Sequence, residues 1–359
     1  MQFSMLRFSF LALLASFACL CGHQARATTV CVDNATDLYQ DLQMFSDGGG
    51  LNGDDLEIDL VIGSYKVGSA TGNQAFTYYS TASAGSISII GGWRPNCTEQ
   101  VPGATDVSID GNNKAQALVL DNNLNPVVVS TVVIQNAKTD KTGGGLAINT
   151  NSAKGGSVTV QDCIIQNNHT SAYIGGLAVY GSGAENFIQV SDNLIVNNSA
   201  DRDEGGGLVD GTSVYNMNVT NNTVYGNTTS NGTVGGLYVS STVKAESAPL
   251  IASNIFEGNT HTGLYLSGTP PYVQYNDYGS IAGVTPAGKT GNVSESPKFV
   301  DAAGGDFHLS GASPLIGLTT EFGNCDPDDD LDGHTRPYYS ACDPGAFAET
   351  IYTGGFESQ

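Results

Sequence analysis

A short glycine motif returns along this chain at nearly constant spacing, and this repetition constrains the fold more than any other feature. Each copy contains one or more glycines followed by a leucine. The leucines of the five copies are Leu146, Leu177, Leu208, Leu237 and Leu264. Successive leucines are 31, 31, 29 and 27 residues apart. A period near thirty residues predicts a repeat architecture, in which one structural unit stacks on the next.

A second motif keeps the same phase. It has the form Asp-Cys-Ile-Ile-Gln-Asn-Asn at residues 162–168. Its copies close at Asn168, Asn198, Asn227 and Asn259, which are 30, 29 and 32 residues apart. Two independent motifs that share one phase are strong evidence of internal repetition.

The composition of each unit indicates short strands joined by tight turns. Lys, Arg and Pro are scarce, while Gly, Asn, Ser, Thr and Val are abundant. Three strands of about five residues and three turns fill a unit of this length. A propeller blade of about forty or more residues fits less well, and the spacing of a leucine-rich repeat is missing. We therefore predict an all-β chain wound as a parallel β-helix of about thirty residues per coil.

Residues at matching positions are expected to stack from coil to coil. One internal aliphatic row is predicted from Ile164, Ile195, Val224 and Ile255, and another from the five repeating leucines. The closing asparagines are predicted at a turn, where Asn adopts left-handed dihedrals and stacked amides bond to each other. Sugar binding or glycosylation at these asparagines is the weaker interpretation, because a turn rich in Asn and Thr produces Asn-x-Ser/Thr sequences by composition.

The first 27 residues have the pattern of a secretory signal peptide. Arg7 precedes an apolar stretch from Phe8 to Cys21, and a small-x-small cleavage site follows at residues 25–27. Acylation of Cys19 or Cys21, as in a lipoprotein, is an alternative. No later stretch is apolar enough to cross a bilayer. We predict a secreted protein, extracellular or on the outer cell surface, with no transmembrane segment.

The charge of the chain restricts its partners. The formal net charge is −22, and removal of the leader would make it −24. Nucleic acid and anionic lipid both require a basic face, so both are excluded as partners. A polyanionic substrate such as pectate is disfavoured unless cations bridge it, and cationic ligands fit better. The alternative is that the charge only keeps an extracellular surface soluble.

Five cysteines follow the leader. Export permits disulfides, and we predict the pairs Cys31–Cys97 and Cys325–Cys342. Cys163 is left over within an apolar strand sequence, so we predict a buried free thiol there. Five cysteines are too few for a disulfide framework of this length, and the core must come from stacked side chains.

A solenoid needs caps at its ends. Residues 36–45 are the best helix candidate, with Asn34 or Thr36 as N-cap and Leu38, Leu42 and Phe45 on one face. We predict an N-terminal cap and first coils over residues 28–110 and the regular repeats over 111–295. A terminal module is predicted over 296–349, followed by a tail at 350–359.

The terminal module carries a family resemblance. Its sequence includes Asp330-Leu-Asp-Gly-His-Thr-Arg-Pro337 and Asp343-Pro-Gly-Ala-Phe-Ala-Glu349, after a Pro-Lys-Phe-Val-Asp stretch that ends at Asp301. This series resembles the "choice-of-anchor Q" module of bacterial secreted right-handed parallel β-helix proteins, and the coils resemble the pectate-lyase-like superfamily. The resemblance implies a right-handed β-helix. The Gly-Phe-Glu ending is similar to short tails on exported Gram-negative proteins.

Candidate sites are few. Asp328, Asp330 and Asp332 alternate before a glycine, as in calcium loops, but the twelfth position is Tyr339, so the EF-hand pattern fails. Calcium at these three residues is a hypothesis, weighed against a solvated acidic loop. The acids at residues 201–204 are the best carboxylate cluster for glycoside chemistry, although a variable surface loop explains them better. The histidines lack metal-ligand spacing, and we predict no catalytic or cofactor-binding residue.

Tyrosines in the coils suggest a binding role. They are Tyr173, Tyr180, Tyr215, Tyr225, Tyr238 and Tyr265. A tyrosine-lined face can stack on sugar rings, and packing at the rim of the core is the alternative. Our leading hypothesis is a monomeric, non-catalytic β-helix protein that binds extracellular polysaccharide or a partner protein. The alternative is a polysaccharide lyase or glycoside hydrolase of the same fold, because fold alone does not decide function.

Overall fold

The structure is a computed structural model that describes residues 27–122, 125–150, 156–242, 248–320, 329–336 and 341–348. The predicted signal peptide, residues 1–27, lies outside this part of the chain apart from Ala27, and the predicted tail at 350–359 lies wholly outside it.

The chain winds as a parallel β-solenoid, which confirms the predicted fold class. Three long parallel sheets and one short sheet run along it, and each sheet receives one strand from a coil. A representative coil passes through Val158–Gln161, Ile164–Gln166, His169–Thr170 and Leu177–Ser182. Each residue pairs with the residue about thirty positions later, as the sequence period requires.

The strands of the first sheet are Ala27–Val32, Asp55–Val61, Ile87–Trp93, Val127–Ser130, Val158–Gln161, Phe187–Ser191, Asn216–Thr220, Leu250–Ala252, Tyr272–Gln274 and Gly288–Thr290. Those of the second sheet are Gly63–Lys66, Val107–Asp110, Val133–Gln135, Ile164–Gln166, Leu194–Val196, Thr223–Tyr225, Ile255–Glu257 and Asp277–Tyr278. Those of the third sheet are Phe76–Ser80, Leu118–Asn122, Leu146–Thr150, Leu177–Ser182, Gly207–Thr212, Val234–Thr242, Thr262–Gly268 and Ile281–Gly283. The short sheet contains Lys138–Thr139, His169–Thr170, Ser199–Ala200 and Thr228–Thr229.

The predicted isoleucine row is wrong by one residue at two of its four positions. The internal row of the second sheet is Ile165, Ile195, Val224 and Phe256. Ile164 and Ile255 lie instead in the outward row, beside Leu194 and Thr223. Adjacent aliphatic residues made the two phases equivalent in sequence, and the outward row is apolar because another part of the chain covers it.

The predicted leucine row is wrong at Leu208. Leu146, Leu177, Leu237 and Leu264 stack inside, but Gly207 occupies the position between Leu177 and Leu237. Leu208 pairs outside with Ala178 and Tyr238. The preceding column contains Gly145, Gly176 and Gly206, whose backbones lie against the asparagine amides. A Cβ at Gly206 would lie 3.1 Å from Asn227 Cγ. This contact fixes the register of the strand at Gly206. The next residue, Gly207, therefore takes the internal position.

The predicted asparagine ladder is confirmed. The amide nitrogens of Asn168, Asn198 and Asn227 donate to the amide oxygen one coil later, at 2.9, 3.0 and 3.0 Å. A second ladder, which we had not predicted, lies at the preceding corner. Its members are Asn193, Asn222, Asn254, Asn276 and Asn292. Cys163 occupies the position before Asn193, is buried and free as predicted, and donates its N–H to Asn193 Oδ1 at 3.0 Å. Burial raises the pKa of this thiol to about 12.

The two ends of the solenoid close differently. Helix α1, Ala35–Phe45, covers the first end as predicted and buries Leu38, Leu42 and Phe45. The Asn34 side chain caps it by accepting two N–H groups at 3.0 Å. The predicted Cys31–Cys97 disulfide is present beside this end. At the other end, Lys289 pairs with Val273 and so holds the next position of an internal aliphatic row. Because no further coil covers it, this charged residue is exposed. An inward charge on an edge strand opposes end-to-end pairing.

The described part of the predicted terminal module lies along the second sheet. It begins with an antiparallel hairpin of Phe299–Asp301 and Asp306–Leu309. Apolar side chains of this part pack on the outward row of the sheet; those in contact are Phe307, Leu331 and Phe347 on one side and Val133, Ile164 and Leu194 on the other. We refer to the described residues of this region, 293–320, 329–336 and 341–348, as the terminal strap.

Candidate functional site

The outward face of the third sheet carries three of the six tyrosines singled out in the sequence. Its two outward rows are Ala147, Ala178, Leu208, Tyr238, Tyr265 and Asn149, Tyr180, Asp210, Ser240, Ser267. Most of these side chains are half-buried. We call Tyr180, Leu208, Asp210, Tyr238, Ser240 and Tyr265 the tyrosine face. Neither row contains a lysine or arginine.

Tyr238 and Tyr265 are stacked on each other in neighbouring coils. Their ring centroids are 4.9 Å apart and the ring planes differ by 16°. The residue paired with Tyr265 in the next coil is Ala282, which is too small to cover the second side of that ring. The pair therefore leaves a ring surface open toward the end of the solenoid, and the negative face of an aromatic ring attracts C–H groups such as those of sugars.

Glu204 lies beside this face. It occupies the position that Ile174 and Val234 hold in the preceding and following coils, and both of those residues are buried and apolar. Burial, with a smaller contribution from Asp203, raises the pKa of Glu204 to about 7. Burial also raises the pKa of Tyr180, and the charges of Glu204 and Asp210 add to that shift. The Tyr180 phenol therefore lies within electrostatic reach of two acids of the neighbouring coil.

The rest of the predicted cluster at residues 201–204 has structural contacts. One carboxylate oxygen of Asp203 accepts the N–H groups of Thr233 and Val234, both at 2.8 Å. The Arg202 guanidinium lies 5.4 Å from the ring centroid of Tyr173, an exposed residue at the rim. The other two predicted tyrosines lie elsewhere: Tyr215 is 62% exposed near the first sheet, and Tyr225 packs under the terminal strap.

The calcium hypothesis concerned Asp328, Asp330 and Asp332. Asp328 lies outside the described residues. Asp330 is buried, and its carboxylate accepts N–H groups from Asp332, His334 and Ala348 at 3.1, 2.7 and 2.8 Å. Asp332 Oδ2 lies 2.8 Å from His308 Nε2. Within the described ranges, no three His, Cys, Asp or Glu side chains are grouped to hold a metal ion.

Cys342 is disulfide-bonded, while its predicted partner, Cys325, lies outside the described part of the chain, so that pairing stays a prediction. Arg336 of the predicted terminal module is buried. Its guanidinium binds Asp192 Oδ1 at 2.9 and 3.0 Å and the carbonyl oxygens of Asp343 and Gly345 at 3.2 and 2.7 Å. The motif that carried the family resemblance therefore fastens the terminal strap to a coil.

A second candidate site was not predicted. A cleft of about 580 Å³ opens between the second sheet and the terminal strap. Its walls include Tyr225, Glu257, Glu295 and Phe299. We call it the acidic cleft. Its acids are separated by tens of residues and share no motif, so nothing in the sequence marked them as neighbours.

Comparison of the chain with protein-family models, with curated proteins and with solved structures found no match in any of the three. Among the helices of the described residues, none has the length and apolar character needed to cross a membrane.

Proposed function

We propose that this chain is a secreted, non-catalytic β-helix protein that binds extracellular glycans on the tyrosine face. The observation that carries the proposal is the stacked Tyr238–Tyr265 pair on a half-buried face that also presents hydroxyl and carboxylate groups beside the rings. Aromatic rings contact sugar C–H groups, and neighbouring polar groups bond sugar hydroxyls. The leader supports secretion, and the negative charge favours neutral or cationic glycans.

The proposal includes the finer family assignment. The coil motifs and the series at 296–349 place the chain, as a hypothesis, with right-handed pectate-lyase-like β-helix proteins that carry a choice-of-anchor Q module. The absence of basic residues from the two rows of the face favours binding over the lyase chemistry expected of that superfamily, which needs a base beside its acids.

The test is retention on a panel of immobilised neutral and cationic polysaccharides. We expect Tyr238→Ala combined with Tyr265→Ala to reduce retention at least tenfold. Tyr215→Ala is the matched control, because Tyr215 is exposed but lies off the face, and it should leave retention unchanged. Equal retention by the wild type and the double variant would reject the face as the binding site.

A second candidate function rests on Glu204. A carboxyl with a raised pKa is one requirement of a glycoside hydrolase, in which one acid protonates the leaving oxygen and the other activates water. Glu204 would be the general acid and Asp210 the general base. Release of reducing ends from a retained polysaccharide, lost in Glu204→Gln, would establish hydrolysis and replace the non-catalytic proposal.

A further inference from the structure

We propose that residues 94–99 form a flap which the Cys31–Cys97 disulfide holds shut, and that reduction of this bridge by a dithiol releases the flap from the first sheet. The flap lies at the first end of the solenoid and involves no residue of the tyrosine face. The proposal therefore goes beyond glycan binding, and it stands or falls separately from the proposed function.

The flap is a short reversal of the chain that follows the first-sheet strand ending at Trp93. Backbone pairing of Trp93 with Gln100 closes its base, and the Arg94 N–H donates to the Glu99 carbonyl oxygen at 2.9 Å. Arg94 and Glu99 also form an ion pair, but both side chains are more than half exposed. These two contacts lie within the flap, so they do not hold it against the sheet.

Cys97 has an unfavourable backbone conformation near the tip of the flap. Its φ of 49° follows a φ of 62° at Asn96, so two consecutive residues are left-handed. Asn adopts this region readily, but Cys does so only at a conformational cost. Loss of the bridge would allow Cys97 to relax, because the bridge fixes its position.

Two polar groups beside the flap are buried without hydrogen-bond partners. They are Asp59 Oδ1 and the indole N–H of Trp93. Asp59 pairs with Cys31 on one side and with Ile90 on the other, and its backbone oxygen lies 3.5 Å from Cys97 Sγ. The bridge therefore lies over Asp59, which is only 5% exposed. Buried polar groups without partners are costly, and an open flap would let water satisfy them.

Asp59 also makes the release depend on pH. Burial, with a smaller contribution from Glu57 of the same strand, raises the pKa of Asp59 to about 6. The residues paired with it in the neighbouring strands carry no charge, and the flap adds only the Arg94–Glu99 pair. A solvated aspartate has a pKa of about 3.9, so protonation stabilises the closed flap below that value. This stabilisation is lost as the pH rises through 6.

The release step is thiol–disulfide exchange. Cys31 is exposed on the edge strand of its sheet, where a dissolved thiol reaches it. One thiolate of the dithiol attacks Cys31 Sγ, the S–S bond breaks, and Cys97 leaves as a thiolate that takes a proton from water. The second thiol of the reagent then closes the reagent's own disulfide and releases Cys31. Two electrons and two protons thus pass from the dithiol to the two cysteines.

Trp93 is the only tryptophan of the chain, so its fluorescence reports on the flap directly. The test is to reduce the full-length mature protein with dithiothreitol at pH 7.5 and to measure quenching of Trp93 by acrylamide before and after. We expect quenching to rise at least twofold while the far-UV circular dichroism stays unchanged. The Cys31→Ser, Cys97→Ser double variant should show the high value without reductant. Cys342→Ser removes the other disulfide-bonded cysteine and should respond as the wild type does.

The role of the buried acid is tested in the reduced protein. Asp59→Leu removes the acid, so quenching should stay close to the oxidised value after reduction. Asp106→Leu, at an exposed acid, is the matched control and should respond as the wild type does. In the reduced wild type, quenching should rise between pH 4 and pH 7, and this rise should be absent from Asp59→Leu.

Three results would overturn the proposal. One is unchanged quenching after thiol titration has shown that the bridge is reduced. Another is loss of the circular dichroism signal, because reduction would then unfold the solenoid rather than release a flap. The third is an equal response in Asp59→Leu, or in the wild type at pH 4 and pH 7, which would show that the buried acid does not drive the release.

Discussion

The second and third sheets of this solenoid are both parallel and pair coil to coil, but their outward faces differ. The outward face of the second sheet is covered by the terminal strap, and that of the third sheet is not. The outward row of the second sheet contains Val133, Ile164 and Leu194, which are 4–6% exposed because the terminal strap lies on them. The third sheet carries tyrosines, serines and acids outward, and these stay half-buried. The polarity of the outward residues therefore indicates whether a second layer of chain packs on that sheet.

An outward leucine has a different meaning on each sheet. Leu194 contributes to a closed apolar layer, whereas Leu208 lies between Ala178 and Tyr238 on the open face. The strap is held by directional contacts as well as by apolar area, chiefly the buried Arg336–Asp192 pair. Breaking those contacts should expose the outward face of the second sheet, as the outward face of the third sheet is exposed.

The largest effect is expected from Arg336→Leu. The guanidinium and the Asp192 carboxylate are almost fully buried, so removal of the arginine leaves a buried charge without its partner. Such a loss costs about 3–5 kcal/mol. We expect a lower urea midpoint and faster proteolysis within residues 293–348.

Arg94→Leu is the matched control. Arg94 and Glu99 form an ion pair at 3.0 Å, but both side chains are more than half exposed. Exposed pairs contribute about 0–1 kcal/mol, so the urea midpoint should hardly move. Similar losses in both variants would contradict the view that Arg336 fastens the strap.

The next effect compares two outward leucines directly. Leu194→Ala should cost about 2–5 kcal/mol, because it opens a cavity beneath the strap. Leu208→Ala, on the open face, should cost about 0.5 kcal/mol. Urea unfolding of the two variants measures both values. A larger cost at Leu208 would mean that the third sheet is also covered.

The sequence was sufficient for the architecture because a solenoid converts a repeat period into strand register. The asparagine ladder, the capping helix and the Cys31–Cys97 bridge were all predicted from local patterns. Inward and outward phase was not determined where two aliphatic residues adjoin, as at Ile164 and Ile165. The strap is the cause of that ambiguity, since the outward position that it covers is apolar as well. The second asparagine ladder could have been predicted from the Asp192-Asn193 and Asn221-Asn222 pairs, in which an asparagine recurs with the same period. We assigned the ladder only to the asparagines that close the motif.

The candidate sites were less accessible to sequence reasoning. Tyr180, Tyr238 and Tyr265 share a face because they occupy equivalent positions in successive coils, so their spacing contained the information. The acidic cleft has no such signal. Glu257 belongs to one of the last coils, and Glu295 lies on the opposite wall only because the chain reverses into the strap. Repeat phase carries no information about contacts between a coil and a segment outside the repeat.

The smallest expected effect is a pH dependence of packing within the strap at His308. The ring lies between Asp306 and Asp332, with each of its nitrogens 2.8 Å from a carboxylate oxygen. Burial acts to lower the pKa of His308, but the hydrogen bonds to the two aspartates outweigh it and raise the pKa above its usual value. The folded strap therefore favours the charged ring.

The sign of the dependence follows from that shift. A raised folded-state pKa gives stabilisation that is complete below the unfolded value of about 6.5 and is lost as the pH rises through the folded value. The groups are about one-third exposed, so we expect less than about 1 kcal/mol. The free energy of unfolding, measured in urea across this range, should fall in the wild type and fall less in His308→Gln. His261→Asn, at an exposed ring with no acidic partner among the described residues, should keep the wild-type slope. If His308→Gln also kept that slope, protonation of this histidine would not contribute to the stability of the strap that covers the second sheet.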